Sequence, residues 1–117
     1  MESNSGPERR RDVRAYASPP AQIVRLGGSE KVEILNASYR GLFIRTYGPP
    51  PMTGQLLKIR ITLPTATIEL NAVPVRVVNE GGRPGVGVRF FALNGEDKRH
   101  WETYINGLLQ RGVRTAA

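Results

Sequence analysis

The chain has 117 residues, which suits one domain around one core. Hydrophobic residues make up 39% of it and cysteine is absent, so a packed interior must hold it, without disulfides or thiolate metal sites. The net charge is +7 and 14 of the 17 basic residues are arginine; either an anionic partner or the codon usage of a GC-rich genome accounts for that.

Residues 1–8 are polar, with Gly6 and Pro7, and read as a disordered tail. Arg9, Arg10, Arg11, Asp12, Val13 and Arg14 then form a compact basic cluster, and Ser18-Pro19-Pro20 forbids a continuing helix. Strand signals follow. Ala21–Leu26 closes on the turn signal Gly27-Gly28-Ser29. Val32, Ile34 and Leu35 continue as a second strand to Asn36. Residues 36–41 form a turn, and Leu42–Arg45 restarts the chain as a strand in which Phe43 reads as core. Pro49-Pro50-Pro51 and Gly54 mark a loop. Leu57, Ile59, Ile61 and Leu63 alternate cleanly with polar residues. Ile68, Leu70 and Ala72 alternate in one phase and Val73, Val75 and Val77 in the other, which requires a bulge or kink near Pro74. Residues 79–84, with Gly81-Gly82, read as the next turn, and Gly85–Phe91 as the last strand with Val86, Val88 and Phe90 on one face.

The end of the chain changes period. Asn94 suits a helix cap, and Glu96 and Asp97 sit where the helix dipole favours acids. Trp101, Tyr104, Ile105, Leu108 and Leu109 make one apolar helical stripe, and Gly112 provides the stop. The expected architecture is mainly β: a small six-stranded antiparallel barrel over residues 21–91 with a C-terminal helix over 94–111, preceded by a segment at 9–20 and followed by a tail at 112–117.

Catalytic constellations are absent. His100 is the sole histidine and lies beside the helical stripe, where a surface or partly packed role suits it better than catalysis. One histidine and no cysteine build neither a transition-metal cage nor a Cys/His pair, so no enzyme, metal or cofactor is expected. The start MESNSGPERRRD has no apolar signal, and no apolar run approaches the roughly 18 residues that span a bilayer. With the lack of cysteine, this fits a cytoplasmic protein without a membrane span.

Two features remain. One is Arg10-x-x-x-Arg14, flanked by Arg9 and Arg11; the other is Asn36-x-Ser38-x-x-Gly41 between two strands. Taken singly, a solvated basic tail accounts for the first and an ordinary polar turn for the second. Arginine's donor fork matches phosphate oxygens and the O6/N7 edge of guanine, and it stacks on flat rings. Asn36 can donate and accept through its amide and Ser38 through its hydroxyl, while Gly41 would allow a positive φ in a tight turn. Arg89 would extend the positive field; for Arg40 and Arg45 surface solvation is the simpler role.

Together, RRRDVR, then NASYRG, then the late strand GVGVRF resemble the PilZ family over about residues 9–110. The resemblance implies a six-stranded barrel with a C-terminal helix that binds cyclic di-GMP. Arg10 and Arg14, helped by Arg9, would clasp the ligand from one side. Asn36, which stands where Asp is commoner, would meet base edges with Ser38, and Gly41 would supply the turn. The implied role is a receptor or adaptor, a monomer or weak dimer, that orders its N-terminal arginines over the barrel and signals to a protein partner. Two alternatives stand beside it. One is a ligand-independent PilZ-like interaction module in a pilus or motility system. The intact motifs argue against the first; the other is a basic nucleic-acid-binding barrel stacking bases on Tyr39, Tyr47 or Phe43.

Overall fold

A computed structural model of the chain describes residues 18–80 and 83–110. Six strands precede one helix: β1 (Ala21–Arg25), β2 (Gly28–Ala37), β3 (Gly41–Thr46), β4 (Leu57–Thr62), β5 (Thr67–Glu80), β6 (Arg83–Phe90) and α1 (Gly95–Gln110). The strands neighbour one another in the order β1-β2-β3-β6-β5-β4, every pair antiparallel, and β4 returns to pair with β1. The expected barrel is therefore closed, which leaves no sheet edge open to another chain.

The interior follows from period-two alternation. Ile23, Ile34, Ile44, Ile59, Ile61, Ile68, Leu70 and Val86 are all but inaccessible to solvent. Most are β-branched, and such side chains fit a pleated, packed surface. Strand β4 shows the pattern most cleanly, with Leu57, Ile59 and Ile61 inside and Lys58 and Thr62 outside. The helix covers one end of the barrel with Trp101, Ile105 and Leu108, while Tyr104 and Leu109 pack partly against the same core. Its first turn starts as expected: the Asn94 carbonyl accepts from the Lys98 N–H at 3.3 Å, and Glu96 and Asp97 follow.

Some boundaries differ from those predicted. The first hairpin turns at Leu26-Gly27, not at 27–29: Arg25 pairs with Gly28, Gly27 takes φ 86°, and Gly28 and Ser29 belong to β2. Positive φ at the second turn residue alone is the pattern that favours glycine there. Likewise, β5 and β6 stay paired as far as Glu80 and Arg83, well into the expected turn at 79–84. The arginine cluster at 9–14, both predicted tails and the Gly112 stop lie outside the described residues.

Two bulges interrupt the alternation. Between β2 and β3 the register runs from Ile34↔Ile44 directly to Asn36↔Phe43, so Leu35 is an extra residue. Between β5 and β6 it runs from Pro74↔Val88 to Arg76↔Gly87, so Val75 is the extra one. The second is the bulge that the phase change near Pro74 demands. It corrects the inward set, however: Pro74 is buried with Ile68, Leu70 and Ala72, whereas Val75 and Val77 are exposed. Each bulge moves a polar residue out of the core phase. In an unbroken strand Asn36 would point inward with Val32 and Ile34, and Arg76 with Ala72 and Pro74.

Because Ile44 is fully buried at the centre of the barrel, Ile44→Ala should lower unfolding free energy by about 2–5 kcal/mol in denaturant titration, from lost burial plus a cavity.

Candidate functional site

The β2–β3 connection is a tight, tied turn. The Ser38 N–H donates to the Gly41 carbonyl at 3.0 Å, and the Arg40 N–H donates to Ser38 Oγ at 3.3 Å. The Ser38 hydroxyl itself reaches the Gly41 carbonyl at 3.5 Å, and the residue is only 8% exposed. Its first task is therefore to hold the turn. From below, the indole N–H of the fully buried Trp101 donates to the Ser38 carbonyl at 3.0 Å. Phe90 meets the Trp101 ring edge-on at 5.4 Å, and the Phe90 N–H donates to the Arg40 carbonyl at 2.8 Å. The Tyr39 hydroxyl donates to Asn106 Oδ1 on α1. The turn is thus fixed to the last strand and to the helix, and the residues on its outer side have little freedom to shift.

Gly41 serves a different purpose from the one expected. It is not among the glycines with positive φ, which are Gly27, Gly54 and Gly95. Instead β3 starts so close to β6 that a Cβ on Gly41 would lie 2.3 Å from the Val88 carbonyl oxygen. Only a residue without a side chain allows this approach.

The outer wall is organised by register. Asn36 pairs with Phe43, Phe43 with Gly87, and Gly87 with Arg76, so these four residues form one row across β2, β3, β6 and β5. Directly paired residues share a face. Below this row Glu33, Arg45 and Gly85 are paired; above it Gly41, Arg89 and Val73 are. Phe43, predicted as core, therefore points outward and is half-buried, because Leu42 and Ile44 on either side of it take the inward phase. Its ring leans over the side-chain-less backbone of β6: a Cβ on Gly85 would come 2.6 Å from Phe43 Cζ. The Arg76 guanidinium carbon lies 5.9 Å from the ring centroid, within cation–π range.

Charge is distributed unevenly around the barrel. On the far side arginines have carboxylate partners, Arg25 with Glu30 at 2.8 Å and Arg60 with Glu69 at 2.7 Å. On the wall described above, Arg45, Arg76 and Arg89 make no ion pair with any described residue. Arg45 departs from the solvated role expected of it. It is half-buried, and its Nε is cut off from solvent without a hydrogen-bond partner. Arg40 is exposed, as expected.

Of the predicted site residues, Asn36, Ser38, Gly41 and Arg89 lie toward one end of this wall, and of these only Arg89 lines the groove of about 540 Å³ there, with Tyr39, Arg40, Phe90, Leu93, Lys98 and Glu102. Arg9, Arg10 and Arg14 are outside the described residues. Phe43 and Arg76 join the wall without having been expected there. The strict alternation of Leu42 and Ile44 is the signal for Phe43, and the spacing of Gly85 and Gly87 on one face is the signal that something lies over β6. Among the described residues no cluster of His, Asp and Glu is arranged to hold a metal ion, and no helix is long and apolar enough to cross a membrane. His100 sits on the helix surface, 3.7 Å from Glu96.

Two substitutions test how the turn is held. Gly41→Ala forces β3 and β6 apart, and should cost about 1–3 kcal/mol in equilibrium unfolding. Trp101→Phe leaves the Ser38 carbonyl buried without its donor and should cost about 1–3 kcal/mol by the same measurement.

No curated protein matches the chain in sequence. Solved structures match it in fold. The Bacillus subtilis inhibitor of motility MotI/DgrA is 22% identical with a TM-score of 0.73, over 90% of this chain and 51% of that one. The PilZ domain of YcgR with c-di-GMP from Escherichia coli is 18% identical with a TM-score of 0.68, over 90% and 95% respectively. MrkH of K. pneumonia, solved as a c-di-GMP complex, is 17% identical with a TM-score of 0.74, over 90% and 54%. The chain thus spans about half the length of MotI/DgrA and MrkH and nearly all of the YcgR domain. The model of the PilZ domain matches residues 8–107, a stretch that takes in the turn, the whole barrel and most of α1, and the chain belongs to the PilZ domain family.

Proposed function

We propose that the chain is a cyclic di-GMP receptor and not an enzyme. The observation that carries this is the outward placement of Asn36 near the end of β2, next to the tied turn, on a wall where Arg45, Arg76 and Arg89 make no ion pair with a described residue. Two of the PilZ structures that share its fold are complexes with this ligand. The ligand offers two phosphates and two guanines. Arg89 supplies charge toward the former, and the Asn36 amide both donates to and accepts from a guanine edge.

The wall provides one side of such a site. The other side is assigned to the N-terminal segment: Arg10 and Arg14, four residues apart with Arg9 adjacent, would grip phosphate or guanine O6/N7. Closing that segment over the barrel would create a new surface, and a protein partner that reads it would carry the signal onward. Ser38 supports the ligand indirectly by fixing the turn, and Gly41 by letting β3 approach β6.

Calorimetric titration of the full chain with cyclic di-GMP should give saturable heat. Arg10→Ala and Arg14→Ala should each abolish or greatly weaken it, and Ser38→Ala should weaken it less. No heat at high micromolar ligand would leave the ligand-independent interaction module as the better reading, and capture of a protein partner indifferent to the nucleotide would establish that reading.

A further inference from the structure

The row Asn36–Phe43–Gly87–Arg76 holds more than the turn motif requires. An aromatic side chain on the outside of a barrel leaves apolar area in water unless something covers it. Here the barrel makes room for the ring instead of hiding it. Gly85 and Gly87 both lack side chains on the outer face, and the ring occupies that space, with its Cζ 2.6 Å from where a Gly85 Cβ would be. The bulge at Val75 brings Arg76 out to the far end of the same row, where its guanidinium faces the ring. The bulge at Leu35 brings Asn36 out to the near end. One row below, Arg45 presents a buried Nε–H with nothing to donate to. Glu33 is opposite Arg45 in register.

An aromatic ring and arginines without ion pairs in one patch suit a flat, anionic ligand. A basic patch that bound phosphate alone would have no use for the ring. The row crosses three interstrand steps, about 14 Å in all, which accommodates a purine lying on Phe43 with side chains at both ends. We propose that Phe43 is the stacking surface for one guanine of cyclic di-GMP, with the Arg76 guanidinium, which lies over the ring in the free protein, moving aside to close on the same base and Arg45 adding positive charge one row below. This rests on the receptor reading above and adds to it the base face, since Asn36 can address only base edges.

The test is a titration of the full chain, Phe43→Leu and Arg45→Gln with cyclic di-GMP, followed by calorimetry and by the NMR signals of the Phe43 ring. Phe43→Leu keeps apolar volume but removes the π face, and should weaken binding roughly ten- to hundredfold. Arg45→Gln, which barely touches the core, should weaken it roughly tenfold. The Phe43 ring protons of the unaltered chain should shift upfield as ligand is added. Unaltered binding in both variants, or ring protons that stay in place while the unaltered chain binds, would overturn the proposal and leave the receptor reading standing. If the unaltered chain itself takes up no ligand, the two fall together.

Discussion

The barrel's alternation of side chains is the constraint on which the rest depends. In a closed barrel every second residue of every strand points into a packed core, and a polar residue in that phase would be buried without partners. Asn36 and Arg76 both follow runs whose phase would place them inside. One extra residue before each, Leu35 and Val75, reverses the phase, and the two polar side chains emerge on the same outer row. The polar row is thus a product of two local interruptions in an otherwise regular barrel, and the core on the other side of the sheet pays nothing for it.

The wall is also firmly anchored. Ser38 is tied by its own hydroxyl and N–H to Gly41, by its carbonyl to Trp101, and through the neighbouring Arg40 carbonyl to Phe90. These bonds link the turn to β6 and α1, elements distant in sequence. The buried indole bond matters most, because a buried carbonyl left without its donor costs more than the bond itself contributes. The backbone next to Asn36 is therefore held in a fixed position.

Much of this was legible in the sequence. The alternation of Leu57, Ile59, Ile61 and Leu63 specifies β4, the stripe from Trp101 to Leu109 specifies the buried face of α1, and the phase conflict around Pro74 calls for the bulge found there. The bulge at Leu35 left no such trace, because Leu35 is apolar and simply lengthens the run Val32-Ile34 toward the turn. Phe43 was misplaced for a related reason: residue size suggests the core, while phase, set by Leu42 and Ile44, dictates the outside. The role of Gly41 was hidden because close approach between β3 and β6 is a long-range contact, whereas positive φ is a local property. The burial of Arg45 Nε likewise depends on strands brought together only by closure of the barrel.

Trp101 is the only tryptophan in the chain, and its indole N–H ends on the Ser38 carbonyl, in the turn that directly follows the strand carrying Asn36. Indole emission responds to the hydrogen bond and the polarity around that nitrogen. The molecule therefore contains its own spectroscopic gauge: a change at the turn is registered in the intensity and colour of one native fluorophore, without a label attached to the surface around it.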